Sequence, residues 1–287
     1  MEKNFFIKSQ GLGNEYIIID EKNITFPLTQ KAIQKICNVN FGIGSDGILI
    51  KTNSDSADIG LKIFNPDGSE AEKSGNGLRI FCKYIYDYKI IPHKEFTVET
   101  KGGKVRANIQ ETIHDRASLI TVDMGKAIFS SKQIPTSFNS EEVQDEIILI
   151  DDKKFVINCV SVGNPHCVII KDELDVREIK KYGPKIENYS KFPNRINVQF
   201  AKIISRDEIQ ILIWERGAGF TLASGSSSCA VASVLRKKEL INNKVTVKMP
   251  GGELKIEIND TWDIRMTGEV RQICEGTLHE ELVSSLL

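Results

Sequence analysis

Apolar and polar positions alternate along this chain in short blocks, and the blocks come in two matching sets. Phe5 to Asp20 reads as a strand, a glycine turn and a second strand carrying Tyr16, Ile17, Ile18 and Ile19. Thr29 to Cys37 has helical spacing at Ala32, Ile33 and Ile36. Asp58 to Phe64 alternates as a strand, with Ile59, Leu61 and Ile63 on one face. The polar loop Pro66-Asp67-Gly68-Ser69-Glu70 then turns the chain. Beyond Ser74-Gly75-Asn76-Gly77, the spacing of Leu78, Phe81, Cys82 and Ile85 predicts a helix. Strands at 95–100 and 104–109 flank Lys101-Gly102-Gly103.

The second half follows the same plan. Leu174 to Tyr182 reads as a helix and Glu208 to Trp214 as a strand, with Ile209, Ile211 and Ile213 on one face. Gly217-Ala218-Gly219 makes a turn. A helix starts near Ser224-Gly225, with Ala230, Val231, Val234 and Leu235 as its buried stripe. Strands at 244–249 and 253–258 flank Pro250-Gly251-Gly252.

Short strings recur in register between these sets. Gly13-Asn14 returns as Gly163-Asn164, and Ile63-Phe64-Asn65 followed by Ser74-Gly75 returns as Ile213-Trp214-Glu215 followed by Ser224-Gly225, both at an offset of 150 residues. Val98 to Gly103 returns as Val247 to Gly252 at an offset of 149. Three matches in order at one spacing argue for a duplicated domain. The expected halves are residues 1–121, with 270–287 returning to them, and 122–269. The matching residues are mostly Gly, Asn, Ser and Glu, types that line sites, so the expectation is one pocket built from two halves.

Composition narrows the function classes. The chain has 287 residues, 40% of them hydrophobic and 27% charged, with a formal net charge of -1, so no electrostatic case exists for a nucleic-acid or membrane-surface partner. The basic clusters Arg236-Lys237-Lys238 and Lys180-Lys181 have acids close by and read as solvated helix faces. No apolar run approaches the ~18 residues of a membrane span, and the N-terminus has no signal-peptide pattern. The expected location is the cytoplasm. Six cysteines are scattered without metal-ligand spacing, which predicts reduced, mostly buried thiols and no metal.

In both halves a strand delivers a polar residue, Asn65 or Glu215, and a loop leads to Ser-Gly at the mouth of a helix. The first helical amides lack internal partners and the terminus carries partial positive charge. Such a terminus accepts a carboxylate or phosphate, and glycines at 75, 77 and 225 allow close approach. Ser74 and Ser224 taken singly read as ordinary helix N-caps. Their matched positions in the duplicated pattern favour a functional pair.

The motifs Gly11-Leu12-Gly13-Asn14, Phe64-Asn65-Pro66-Asp67-Gly68-Ser69-Glu70, Ser74-Gly75-Asn76-Gly77, Gly163-Asn164-Pro165-His166-Cys167, Glu215-Arg216-Gly217-Ala218-Gly219, Pro250-Gly251-Gly252 and Met266-Thr267-Gly268 together resemble diaminopimelate epimerase over essentially the whole chain. The resemblance implies an α/β fold of two pseudo-symmetric domains, each a mostly antiparallel sheet wrapped around a central helix. It implies an amino-acid epimerase or racemase that works without pyridoxal phosphate or any other cofactor. In that family one cysteine removes the α-proton and a second returns a proton, converting LL-diaminopimelate to the meso form for lysine and cell-wall synthesis. The substrate-binding positions correspond here to Asn14, Asn65, Asn164, Asn197, Glu215 and Arg216. The α-carboxylate corresponds to the amides of Gly75-Asn76 and Gly225-Ser226, with His166 supporting one acid/base residue. The expected partner is a small free amino acid, and the sequence leaves a homodimer open.

Both family cysteines are serine in this chain, Ser74 and Ser224. Phe220 stands where the family has Glu, Ser227 where it has Gly, and Gly47 where some members have Gln. A thiol ionises near ~8.5 and a serine hydroxyl is several units weaker, each unit adding ~1.4 kcal/mol to the cost of the anion. Serine therefore needs an activator, with His166 and Glu215 as candidates. Three explanations compete: a natural two-serine branch, an epimerase engineered to trap its ligand, and an inactive amino-acid-binding relative. An isomerase using Glu215 as its single base is a further alternative. Phe220 suggests a less cationic ligand or, equally, packing between the domains.

Overall fold

The computed structural model describes residues 2–287. The chain divides into two compact units, Met1–Val122 with Gly268–Leu287, and Asp123–Thr267.

In the first unit the strands run in the order Arg271–Thr277, Phe5–Gly11, Asn14–Asp20, Ile48–Thr52, Ile59–Phe64, Glu95–Thr100, Gly103–Ile113 and Arg116–Lys126. Two neighbour pairs are parallel, Asn14–Asp20 with Ile48–Thr52 and Ile59–Phe64 with Glu95–Thr100; the others are antiparallel. Helix α1 (Gln30–Cys37) supplies one of the parallel crossovers and helix α2 (Gly75–Asp87) the other. Strand alternation then sorts the side chains. Ile17, Ile19, Ile48 and Ile50 join Ala32, Ile33 and Ile36 of α1, together with Leu278 and Leu286 from the end of the chain. The intervening residues Tyr16, Ile18 and Leu49 therefore point to the α2 side.

The second unit repeats the order strand for strand: Glu146–Ile150, Lys153–Ser161, Pro165–Ile170, Asn197–Ser205, Glu208–Glu215, Lys244–Met249, Gly252–Ile258 and Asp263–Glu269. The parallel pairs fall at the same two places, Pro165–Ile170 with Asn197–Ser205 and Glu208–Glu215 with Lys244–Met249. Helix α3 (Val176–Glu187) and helix α4 (Gly225–Lys237) take the places of α1 and α2. Cys167, Ile169, Val198 and Phe200 pack with Ile179, Tyr182 and Ile186 of α3. His166, Val168 and Gln199 point the other way, to α4.

Helix α2 is more enclosed than its sequence stripe suggests. Every residue from Gly75 to Ile85 is buried, including Arg79, Lys83 and Tyr84, because the sheet curls round the helix instead of meeting one face. Lys83 is held by Asp87 at 2.8 Å and by the Ala117 carbonyl, while Asp87 accepts the Ala117 amide at 2.7 Å. Helix α3 runs past the predicted end at Tyr182 to Glu187, with Asp175 capping its start. Lys180 and Lys181 are exposed, but the basic run at 236–238 is not simply solvated. Arg236 pairs with Asp260, Lys237 with Glu142 and Lys238 with Asp145, and the Lys237 ammonium lies 4.4 Å from the Phe129 ring centre. No helix among the described residues is long and apolar enough to cross a membrane.

Candidate functional site

The two Ser-Gly segments form helix termini of the same construction. Ser74 and Ser224 are both extended N-cap residues, with φ −137° and −150°. Ser74 Oγ accepts the Gly77 amide at 3.1 Å, and Ser224 Oγ accepts the Ser227 amide at 3.4 Å. The first i→i−4 bonds run from Leu78 to the Ser74 carbonyl and from Ser228 to the Ser224 carbonyl. The amides of Gly75, Asn76, Gly225 and Ser226 precede those bonds and carry the positive end of each helix dipole. The capping reading is therefore correct for both serines, and it leaves the amides beside them available to an anionic group.

In the first unit the predicted residues Asn14 and Asn76 meet. Asn76 donates to Asn14 Oδ1 at 3.2 Å, Asn14 donates to Asp46 at 2.9 Å, and Arg79 donates to Asn76 Oδ1 at 2.8 Å. This chain of polar groups fixes the Asn76 amide beside the α2 terminus. Asn65 stands apart from it, in a tight turn where its side chain donates to Ser69 Oγ at 3.0 Å. Ser74 Oγ lies 3.2 Å from Tyr16 Oη, a partner that sequence reasoning did not single out.

In the second unit His166, fully buried, organises the site. Its Nε2 lies 2.8 Å from Asn164 Oδ1, and its Nδ1 lies 3.1 Å from Gln199 Nε2. Gln199 also donates to Ser227 Oγ at 3.0 Å. Since the Gln199 amide donates, Nδ1 accepts and the proton sits on Nε2, facing Asn164. Burial, aided by the nearby Arg216 charge, pushes the His166 imidazole down to about 3. A neutral imidazole is a hydrogen-bonding strut here. Its link to Ser224 runs through Gln199 and Ser227 and is indirect.

Asn197 donates to the Pro165 carbonyl at 2.8 Å and accepts the Arg216 amide at 2.9 Å, tying the segment before His166 to the Glu215-Arg216 turn. The turn has a second anchor in Glu187, at the end of α3. This buried carboxylate accepts from Trp214 Nε1 at 2.8 Å and from the Gly217 amide at 3.0 Å, and pairs with Arg195 at 3.1 Å. Ser226 Oγ lies 3.4 Å from Ser224 Oγ. Gln199, Glu187 and Tyr16 are thus supports that motif reading missed. Alternation with the buried Val198 and Phe200 was the one signal that marked Gln199 as facing a helix.

Phe220 is half-buried in the second unit. Its ring packs on the core between α3 and the second sheet, and the Lys180 ammonium lies 4.9 Å from its centre, all within one unit. The buried cysteines offer no substitute acid. Cys82, Cys159, Cys167 and Cys229 are fully buried. Burial raises the Cys82 thiol far above the usual range, and Cys159 rises for the same reason.

Comparison with known proteins accounts for this architecture. The family model described as diaminopimelate epimerase matches residues 6–130 and 158–273. The chain is 48% identical over 278 residues to "Diaminopimelate epimerase 2" of Nostoc sp., covering 96% of each chain. It is 38% identical to a diaminopimelate epimerase of Alkaliphilus metalliredigens, covering 97% of this chain and 98% of the relative. Among solved structures, a hydroxyproline epimerase from Agrobacterium vitis superposes with a TM-score of 0.72 at 11% identity, covering 96% of this chain and 90% of that one. A methylitaconate-delta-isomerase superposes at 0.66 and 12%, covering 99% and 96%; both show the shared fold alone. With the family model spanning most of both units and close relatives matching end to end, the chain belongs to the diaminopimelate epimerase family.

Proposed function

We propose that this chain is a pyridoxal-phosphate-independent amino-acid epimerase acting on diaminopimelate, with Ser74 and Ser224 in the two acid/base positions. One serine takes the α-proton and the other returns one. The observation that carries this reading is the near-full-length identity to "Diaminopimelate epimerase 2". It is supported by two capped helix termini at corresponding places in the duplicated units. The amides of Gly75, Asn76, Gly225 and Ser226 would hold the α-carboxylate. Asn14, Asn65, Asn164, Asn197, Glu215 and Arg216 would read the remaining amino and carboxyl groups. We place the reaction in the cytoplasm, on a free amino acid, with a homodimer as the assembly to test by light scattering.

Serine in place of cysteine favours one other reading, an amino-acid-binding relative without turnover. The deciding measurement is α-proton exchange in D2O, followed by NMR on LL- and meso-diaminopimelate and on common amino acids. Exchange on diaminopimelate is expected. Ser74→Cys with Ser224→Cys should raise its rate by at least ~10²-fold, because a thiol ionises several units more easily than a hydroxyl. Binding without exchange, before and after the double substitution, would sink the epimerase reading.

A further inference from the structure

Tyr16 and His166 occupy the same place in the two units. They are 150 residues apart. Each sits two residues after the Asn of a Gly-Asn pair, on the strand that runs parallel to the next one. Alternation turns each toward the central helix of its own unit. His166 stops short of its serine and is wired to Gln199. Tyr16 reaches its serine directly, with Oη 3.2 Å from Ser74 Oγ, and the residue is only 6% exposed.

The surroundings are shaped for that contact. Gly47 lies against the Tyr16 ring: a β-carbon at position 47 would fall 2.7 Å from Tyr16 Cε1 and 2.4 Å from the Phe64 carbonyl oxygen. Only glycine lets the ring lie there without moving backbone. The corresponding position beside His166 is Asn197, so the vacancy is specific to the first unit. Ser74 Oγ already accepts the Gly77 amide, which leaves its remaining lone pair and its own proton for the phenol.

We propose that Tyr16 is the proton partner of Ser74, a positioning residue that acts on the substrate only through the serine hydroxyl. The inference rests on the epimerase reading above. As Ser74 Oγ takes the α-proton, the Cα–H bond breaks and its electron pair stays on carbon. A new Oγ–H bond forms, and the proton previously on Oγ passes to the Tyr16 phenolate, which becomes neutral phenol. In the return direction Ser74 gives its proton to the carbanion and recovers one from the phenol. A phenol, ordinarily near ~10, is a stronger acid than an aliphatic hydroxyl. The pair therefore moves the ionisation that serine requires into a more accessible range, a task that a thiol performs alone.

The test measures α-proton exchange of LL-diaminopimelate from pH 6 to 10 in the wild type, Tyr16→Phe, Ser74→Cys and the double variant. Thermal melts check that each one folds. The wild-type rate should climb toward the phenol range. Tyr16→Phe should be slower by roughly 10²-fold, the lower end of what one proton-transfer group contributes, and should lose the climb. In the Ser74→Cys background the same substitution should cost far less. A Tyr16→Phe rate and profile equal to wild type would overturn the proposal. So would an equal loss in both backgrounds, because that marks a merely structural ring. Silence of both the wild type and Ser74→Cys, with ligand bound, would refute the epimerase reading instead. The pair is then judged by 13C NMR titration of the Tyr16 phenol, and a titration unchanged by Ser74→Ala would overturn it independently.

Discussion

The two units share strand order, parallel pairs and capped central helices, yet they are finished with different chemistry at the same places. Around α2, Leu49 lies against Gly77, whose missing side chain leaves 3.2 Å between a built β-carbon and Leu49 Cδ2. Around α4 the same two places hold Gln199 and Ser227, joined by a hydrogen bond at 3.0 Å. At the far end of the helices, the buried pair Lys83–Asp87 of α2 corresponds to Ser233 and Lys237 of α4. Ser233 bonds back to the Cys229 carbonyl, and Lys237 reaches outward to Glu142. A duplicated backbone constrains where side chains point, not whether the contact there is apolar, neutral or charged. The first unit buries an ion pair at the end of the helix away from the serine and the Arg79 guanidinium about one turn from it. The second concentrates buried polar groups beside it.

The largest test of this contrast lies at the helix ends. Asp87→Ala removes one partner of a buried pair and strands Lys83. We expect a loss of about 3–5 kcal/mol in denaturant unfolding. Lys238→Ala breaks a pair whose acid is two-thirds exposed, and should cost under about 1 kcal/mol. Equal losses would mean that the two ends are equivalent after all.

A smaller effect is expected beside Ser224. Gln199→Leu copies Leu49 into the second unit and leaves His166 Nδ1 and Ser227 Oγ without their donor, at about 1–3 kcal/mol. Gln199 Oε1 is itself buried without a hydrogen-bond partner, which moderates the loss. Adding Ser227→Gly completes the copy, so the double variant should recover part of that loss in a double-mutant cycle. Strict additivity would show that the Gln199–Ser227 contact carries no coupling.

A further probe is pH. His166 falls to about 3 in the folded state, below its ordinary value near ~6.5. Under acid the unfolded chain takes up a proton that the folded one refuses. Its contribution is complete above about pH 6.5 and drains as pH falls toward 3, by up to ~1.4 kcal/mol per pH unit. His166→Gln should flatten this slope in urea melts between pH 7 and 4, whereas Tyr16→Phe should leave it unchanged. An unaltered slope in the His166 variant would assign the acid sensitivity to other groups.

Much of this was legible in the residues themselves. The offset of 150 predicted corresponding helices, and α2 and α4 begin at Gly75 and Gly225 and run the same length. The Gly-Asn, Ser-Gly and Glu-Arg-Gly motifs were legible because such residues answer to local demands: a turn, a cap, an amide left open at a helix start. The stripe Leu78, Phe81, Cys82 and Ile85 marked α2 as a helix but not as an enclosed one. Arg79 and Lys83 look like solvent-facing residues until a sheet closes over them. The basic run at 236–238 misled for the related reason that its acidic partners lie far off in sequence.

The sequence alone determined the period, the elements and the capped termini, because hydrophobic alternation, cap preference and glycine turns act over a few residues. It also determined that both helix N-cap positions are serines. Only tertiary structure decided that Tyr16 meets Ser74 across 58 positions, that Gln199 bridges His166 and Ser227, that Glu187 anchors the Glu215-Arg216 turn, and that Phe220 packs against the core of the second unit. Those contacts depend on which strands become neighbours and which face each presents to its helix. That choice is made by packing the whole unit, and no local pattern carries it.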